Sequence, residues 1–357
     1  MASIDDVAKL AGVSAATVSA VVNRQGTVKA RTRERVLAAI RELKYEPNYH
    51  ARTLARGRSN IIGIVISEMT NPFFAEIAQI AQQTAIRRGY KGLISVTEFS
   101  VNQLSDAVRS MISMRIDGIL ILTSEMDDKV LGLIRDRQIP AVFEDVGTVD
   151  ATTSNLRIDY EGGIYRAVRC LVEFGHKEIL FVQIPPASIK PEQMLSHRLR
   201  AEAFQSAIDC FPGVNGFKYS GSGQLPFQAG IQAATEILQR FEVTGIVASA
   251  DPHAVGVLRG LQRAGKHIPN DISIIGFDNS PLCEFTDPQL ASVNIPRKEI
   301  AQVAVENLLG MIEEGHPGTE IHVPTELILR DSVGRPRKTN KAKVPPHART
   351  EKTKRRT

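Results

Sequence analysis

The chain of 357 residues lacks several features that would place it in large classes of proteins. It has only three cysteines, Cys170, Cys210 and Cys283, an odd number without metal-ligand spacing, so we expect buried free thiols rather than disulfides or a metal site. No apolar run approaches the length of a membrane span, and no basic region followed by an apolar stretch begins the chain. These absences predict a soluble, cytoplasmic chain without a membrane partner.

Sequence motifs that carry catalysis are also missing. There is no Gly-x-Gly-x-x-Gly fingerprint and no Walker loop, and the histidines are scattered without metal-ligand spacing. The glycine-containing stretch at 220–223 is most simply a loop. We therefore expect no enzymatic activity, no metal and no cofactor.

Charge is concentrated at the two ends of the chain. Residues 1–60 carry a net charge of +6 and residues 334–357 carry +9, so the part between them carries −10. A basic head on an acidic body is typical of a protein that contacts a polyanion with one end only. The tail has no apolar period and no leucine heptads, so we expect it to be disordered, either as a solvated terminus or as a weak DNA-binding arm.

The first 23 residues have the pattern of two short helices around a tight turn. Ser3 and Asp6 are spaced to cap the first helix, Gly12 can end it in the left-handed conformation, and Ser14 can cap the second. Apolar spacing alone would fit any small helical domain. The second helix, however, leaves a face of small and polar residues that can enter a major groove, namely Ser14, Ala15, Ala16, Thr17, Ser19, Ala20 and Asn23.

A third helix is predicted over about 30–43, and Pro47 ends it. Several of its arginines point to water, and Lys29 and Thr32 at its start are candidate DNA contacts. The following segment, 48–58, has helical character for only about two turns, which is too short to be stable alone in water. This segment therefore needs a partner in order to fold.

These motifs closely resemble the lactose/galactose repressor family of bacterial transcriptional regulators, and the resemblance covers residues 4 to about 333. In that family the second helix lies in the major groove, and a hinge helix folds on the operator. The resemblance implies that Leu54 wedges into the minor groove, with Ala51, Arg52 and Arg56 beside it. From the residues alone, Leu54 could instead pack against the core and the arginines could form a solvated face.

The recognition helix departs from the family at one position. The family usually has arginine where this chain has Ala20, and an arginine there can read guanine through two hydrogen bonds. Operator readout must therefore depend on thymine-methyl contacts, short polar side chains and DNA shape. Lys29 also replaces a common capping residue, which weakens the start of the third helix but adds a phosphate contact.

From Ile61 onward, short apolar runs alternate with helical stretches. The predicted strands cover 61–66, 92–96, 118–122, 141–143, 179–182, 246–248 and 272–277. Continuous apolar strands between helices indicate parallel sheets covered on both faces. The predicted fold is an N-terminal all-α helix-turn-helix head with a hinge helix, followed by an α/β body of two doubly wound parallel lobes, like periplasmic binding proteins.

The predicted domain division has four parts. They are a helix-turn-helix domain at 1–47, a hinge at 48–58, an effector-binding and dimerisation domain at 59–333, and a disordered basic tail at 334–357. By analogy with the family, one lobe holds about 61–158 plus 290–319, and the other holds 159–289 plus 320–333.

The resemblance also implies an effector site between the lobes, at the carboxyl ends of the strands. The residues at matching positions are Phe73, Phe74, Asp145, Ser196, Arg200 and Asp278. On their own, adjacent phenylalanines are more often core, a lone arginine is often a surface charge, and an aspartate after a strand equally fits a turn. Together, Arg200 and Asp278 offer donors and acceptors suited to the vicinal hydroxyls of a sugar.

These observations predict a homodimeric, sequence-specific transcriptional regulator, most simply a repressor, that binds a pseudo-palindromic operator in double-stranded DNA. A small metabolite such as a sugar would modulate that binding as inducer or corepressor. One alternative is a regulator of the same fold controlled by a partner protein or by no effector. A more remote alternative is a solute-binding protein, which would need an export signal and no helix-turn-helix.

Overall fold

The computed structural model describes residues 2–22, 28–45, 58–145, 149–187, 189, 194–223 and 225–337. These residues hold twelve helices and twelve strands. Several predicted DNA contacts lie outside the described residues, namely Asn23, Ala51, Arg52, Leu54 and Arg56.

Three helices form the N-terminal head: α1 (Ile4–Ala11), α2 (Ala15–Val22) and α3 (Ala30–Glu42). The backbone N–H of Asp6 donates to the Ser3 hydroxyl and the Asp6 carboxylate accepts from the Ser3 backbone, which confirms the predicted capping box. Gly12 ends α1 with φ 61°, and Ser14 Oγ accepts from the backbone N–H of Thr17 at 3.2 Å. These short-range contacts confirm the predicted helix-turn-helix.

The third helix is fastened to the first by Arg35. Its guanidinium donates to the carbonyl oxygens of Ala11 and Gly12, where α1 has run out of backbone donors. Lys29 precedes α3 without a side-chain capping hydrogen bond, as the sequence predicts. The packed core beneath these helices is centred on Val7, Val18 and Val36.

The first lobe is built on a six-stranded parallel sheet. Its strands are β1 (Ile61–Ile66), β2 (Lys91–Val96), β3 (Gly118–Leu122), β4 (Ala141–Glu144), β5 (Thr153–Ile158) and β11 (Glu320–Val323), in the order β11-β5-β4-β3-β1-β2. Helices α4 (Pro72–Arg87) and α12 (Arg297–Glu314) cover one face, and α5 (Val101–Ser113) and α6 (Asp128–Asp136) cover the other. Both faces are buried, which is why β1 and β3 read as uninterrupted apolar runs.

The second lobe repeats this arrangement. Its strands are β6 (Glu178–Gln183), β7 (Asn215–Ser220), β8 (Gly245–Ala248), β9 (Ser273–Asp278), β10 (Ala291–Asn294) and β12 (Glu326–Ile328), in the order β12-β10-β9-β8-β6-β7. All neighbours are parallel except β10 and β12. The sheet is enclosed by α7 (Tyr160–Glu173), α8 (Leu195–Asp209), α9 (Pro226–Arg240) and α10 (Asp251–Arg263), and a short α11 (Leu282–Phe285) follows β9.

The chain crosses between the lobes at other points than expected. Residues 290–319 were predicted in the first lobe, but β10 pairs with β9 in the second sheet. Residues 320–333 were predicted in the second lobe, but β11 pairs with β5 in the first sheet. The prediction is wrong at these two strands because the pairing of β10 with β9 and of β11 with β5 is set by the assembled sheets, and no local pattern in the sequence specifies it.

The predicted disorder of 334–357 is also wrong at its start. Residues 334–337 lie against the second lobe: the carbonyl oxygen of Gly334 is 2.9 Å from His176 Nε2, and Arg337 forms an ion pair with Asp271 at 3.2 Å. The tail from 338 onward lies outside the described residues.

The three thiols are free, but they are not all buried. Cys170 and Cys283 are buried as expected, whereas Cys210 is exposed just after α8, with its Sγ 3.3 Å from the carbonyl oxygen of Ser206. The described residues contain no group of side chains that could hold a metal ion. No helix among them combines the length and apolar character needed to cross a bilayer.

Helices α9 and α10 approach so closely that glycine is required at their contact. A Cβ atom added to Gly256 would lie 2.3 Å from the carbonyl oxygen of Phe227 and 2.8 Å from Cα of Gly230. We expect Gly256→Ala to lower the free energy of unfolding by about 1–3 kcal/mol, because the helices must separate. Differential scanning calorimetry should record this as a lower Tm.

The matched control for that substitution is Gly132→Ala in α6. A Cβ atom at Gly132 would meet no other atom within 4 Å, so the change should be neutral or stabilising by up to about 1 kcal/mol through helix propensity. Equal losses of stability in the two variants would show that the close helix contact has no special cost.

Candidate functional site

The predicted DNA-contacting face of α2 carries only short side chains. Ser14 and Ala16 are exposed, and Ala15, Thr17, Ser19 and Ala20 are half-buried. Ser14 Oγ and Thr17 Oγ1 are 3.0 Å apart, so the two hydroxyls form one polar patch at the start of the helix. Lys29 is exposed and Thr32 is half-buried at the start of α3. Such a face permits close approach of the helix backbone to a groove.

The segment that leaves the head is fixed to the first lobe. The backbone N–H groups of Ser59 and Asn60 donate to the carboxylate of Asp117 at 2.8 and 2.7 Å. Arg58 Nη2 donates to the carbonyl oxygen of Ile312 in α12 at 2.8 Å. Any displacement of the first lobe therefore displaces the chain that enters it from the predicted hinge.

A cleft between the lobes lies at the carboxyl ends of the strands of both sheets and is partly open to solvent. An aromatic cluster forms its first-lobe wall. The ring centroids of Phe73 and Phe74 are 5.2 Å apart, and those of Phe74 and Phe99 are 6.4 Å apart. Asn71 caps α4 by accepting from the backbone N–H of Phe73 at 3.0 Å. The two predicted phenylalanines are therefore both buried and in the cleft wall.

Arg200 forms the centre of the opposite wall. Its guanidinium carbon lies 4.6 Å from the ring centroid of Tyr160 and 4.8 Å from that of Phe277, so the cation is held between two aromatic faces. Nη1 donates to the carbonyl oxygen of Ser249 at 2.6 Å, and Nη2 is 4.0 Å from Oδ1 of Asp278. These contacts fix the buried guanidinium at the edge of the cleft.

Asp278 ends β9 in a backbone conformation that is unusual for a side-chain-bearing residue, with φ 109°. Burial raises the pKa of its carboxyl group well above the ordinary value, while Arg200 opposes that shift. Its carbonyl oxygen accepts from the guanidinium of Arg297, which also pairs with Glu76 of the first lobe. Arg297 thus links the end of β9 directly to α4 of the other lobe.

Other polar residues line the cleft that the sequence did not single out. Glu144 ends β4, and His197 and His253 come from α8 and α10. Burial, together with the nearby Arg200 cation, lowers the pKa of His197 to about 3 and that of His253 to about 4, so both rings are neutral at pH 7. Only their position in the sequence could have indicated them. Glu144 ends an apolar strand, and His197 and His253 lie in the first turns of their helices.

Two of the six predicted effector residues do not line this cleft in the described part of the chain. Asp145 faces a separate surface cleft beside Tyr160 and His322, and it accepts from the backbone N–H of Ile158 at 3.0 Å. Ser196 lines a small neighbouring cavity with Thr123 and Leu195. The structure brings together the other four, Phe73, Phe74, Arg200 and Asp278.

Both parts of this architecture match known protein families. Residues 3–48 match the bacterial regulatory proteins of the lacI family, and residues 168–333 match the periplasmic binding protein-like domain. Catabolite control protein A of Priestia megaterium is 31% identical over 334 residues, which cover 92% of this chain and 98% of that protein. The chain belongs to the lacI family. This lacI-family chain is also 30% identical over 337 residues to the HTH-type transcriptional repressor PurR of Photobacterium profundum, covering 93% and 99% of the two.

Solved structures agree with this assignment. The Lac repressor dimer bound to operator and the anti-inducer ONPF superposes with a TM-score of 0.80 at 26% identity, covering 93% of this chain and 99% of that one. The complex of the transcriptional regulator CelR with cellobiose superposes with a TM-score of 0.67 at 26% identity, covering 93% and 100%. The predicted family and fold class are confirmed, and this lacI-family chain is a DNA-binding transcriptional regulator.

Proposed function

We propose that this chain is a homodimeric repressor whose affinity for a pseudo-palindromic operator is set by a small hydroxylated metabolite bound between the lobes. The observation that carries the proposal is the connection of a helix-turn-helix head to a cleft with an aromatic wall on one lobe and a buried arginine–aspartate pair on the other. Such a regulator acts where the chromosome is, in the cytoplasm.

The path from cleft to DNA runs through the first lobe. Asp117 and the carbonyl oxygen of Ile312 hold residues 58–60 on that lobe. A ligand that changes the angle between the lobes moves these anchors, and in a dimer this changes the distance between the two hinge segments. Each hinge is predicted to be too short to form a stable helix alone. The distance between the two hinges therefore changes the free energy of folding them on DNA.

Exposed apolar side chains support the dimer. Phe285 in α11 is 85% exposed and Leu225 before α9 is 56% exposed on the second lobe, while Ile86 in α4 is 61% exposed on the first. Each of these side chains would contribute to stability if a second copy of the chain buried it. A two-fold dimer also matches two half-sites, since one recognition helix reads only one of them.

Aromatic rings and a charged hydrogen-bonding pair are the groups that recognise a sugar or a sugar derivative. An aromatic face packs on the apolar C–H face of a sugar ring, and Arg200 with Asp278 offers donors and acceptors to its hydroxyls. The solved complex of CelR with cellobiose shows that a regulator of the same fold binds a sugar.

A direct test selects operators from a randomised DNA pool with the full-length protein. We expect an inverted repeat, two chains per duplex in sedimentation velocity, and an operator affinity that a metabolite changes by about 5–150-fold. One chain per saturated duplex would contradict the dimer. Operator binding that no metabolite alters but that a cellular protein does would favour the partner-controlled alternative.

A further inference from the structure

The cleft between the lobes has more acidic than basic side chains. Among the described residues that line it, three carry carboxyl groups, Glu68, Glu144 and Asp278, and Arg200 is the single arginine or lysine. The two histidines do not offset the difference, because burial next to Arg200 lowers their pKa values and keeps them neutral. A bound anion would therefore lie beside three carboxyl groups and a single cation.

Glu144 has a buried carboxyl oxygen without a hydrogen-bond partner. The residue ends β4 and is only 8% exposed, and its Oε2 has no partner among the described residues. Nδ1 of His197 is buried and without a partner in the same sense. Nε of Arg200 is a third such atom. Buried polar atoms are normally paired, so these three atoms in the walls of one cleft point to a ligand that supplies the missing partners, a donor for Glu144 among them.

We infer that the effector carries a protonated amine on a hydroxylated, sugar-like frame, with the amine against Glu144 and the hydroxyl groups at Arg200 and Asp278. The inference rests on the proposed function and narrows its ligand class. An ammonium group donates strong, charge-assisted hydrogen bonds to a carboxylate. A neutral sugar offers Glu144 no charged donor, and a phosphorylated sugar would place its negative charge among the carboxyl groups of the cleft.

Proton release accompanies such binding. Burial, with a contribution from Asp145, raises the pKa of Glu144 to about 8, so its carboxyl group is mostly protonated at pH 7 in the empty cleft. Asp278 also raises this pKa and Arg200 lowers it, and the Tyr160 hydroxyl lies in the same cluster. An ammonium group in contact with Glu144 favours the charged carboxylate and lowers this pKa, so binding at pH 7 releases protons from the protein.

Isothermal titration calorimetry at pH 7 tests the inference with the full-length protein. The probes are glucosamine, galactosamine, mannosamine and an amino alditol, each compared with its neutral parent and with the 6-phosphate of that parent. We expect at least one amine to bind ten-fold or more tightly than its parent, and the phosphates to bind more weakly than either. Titrations in buffers of different ionisation enthalpy should show a net release of protons on binding of the amine.

Glu144→Gln provides the residue-specific test. It should reduce amine affinity at least ten-fold and remove the proton release, while the affinity for the neutral parent stays within two-fold. Glu299→Gln, an exposed position on α12, is the matched control and should change neither quantity. Thermal unfolding of each variant checks that it folds. The proton release measured with the parent protein tests the inference independently of any variant.

The inference is overturned if a neutral sugar or a phosphate binds more tightly than every amine, if no amine binds, or if amine binding releases no proton. Its failure is distinguishable from failure of the proposed function. If a neutral or phosphorylated sugar binds in the cleft and shifts operator affinity, the proposed function is supported and only the inference of an amine is rejected.

Discussion

Asp278→Ala should abolish the response of operator binding to the effector. The carboxylate is 4.0 Å from Arg200, and its backbone carbonyl is linked through Arg297 to the first lobe, so ligand recognition and lobe position meet at this residue. We expect the effector to change the operator affinity of the parent protein by about 5–150-fold and that of the variant by less than two-fold. Fluorescence anisotropy with labelled operator, with and without effector, measures both.

Two further variants separate loss of the site from loss of the fold. Asp278→Asn removes the charge but keeps the shape of the side chain, and should weaken the response without the loss of packing that alanine causes at this buried position. Asp209→Ala changes an exposed aspartate in the same lobe and should respond like the parent. A normal response from Asp278→Ala would show that the effector site is elsewhere, and would favour control by a partner protein.

Leu54→Ala should lower operator affinity at least ten-fold and reduce the bend in the DNA. Residue 54 lies outside the described residues, so this expectation rests on its position in the predicted hinge and on the family resemblance. An apolar wedge partly unstacks one base step and bends the duplex, and alanine is too small to do so. Circular-permutation gel shifts measure the bend, and titrations of operator DNA measure the affinity.

The same substitution at an exposed leucine of the second lobe, Leu329→Ala, is the control for the hinge variant. Leu329 is 52% exposed and far along the chain from the head, so operator affinity and bending should be unchanged. Leu54→Ala should leave effector affinity and thermal stability of the body near those of the parent, because the wedge acts only on DNA. If Leu54→Ala bends the DNA as much as the parent protein does, Leu54 does not act as a wedge.

The cleft was only partly predictable from the sequence. Arg200 and Asp278 were assigned by family resemblance, and they do meet in the structure at 4.0 Å. Glu144 was not singled out although it immediately precedes the predicted Asp145, because the sequence does not show which side chain at a strand end lines a cleft between two lobes. The sequence therefore indicated a strand end at the cleft, but the residue it named there, Asp145, does not line that cleft.

The head was determined by the sequence itself. The Ser3–Asp6 capping box, the left-handed Gly12 and the Ser14 cap each act between residues no more than four apart, so their geometry follows from local chemistry. Six of the seven strands predicted in the body were equally readable, because strands buried on both faces must be apolar throughout; the seventh, β2, is a partly exposed edge strand with a short apolar run. Family membership followed from these local signals.

Tertiary structure decided which strands pair and which side chains converge. Five strands had no clear pattern in the sequence: β5, β7, β10, β11 and β12. Strands β7, β11 and β12 lie at sheet edges, where a polar side chain can remain in water, and β11 joins a partner more than 160 residues earlier in the chain. Pairings of this kind, and the meeting of Glu144 with Arg200 across the lobes, depend on the assembled sheets because no local interaction specifies them.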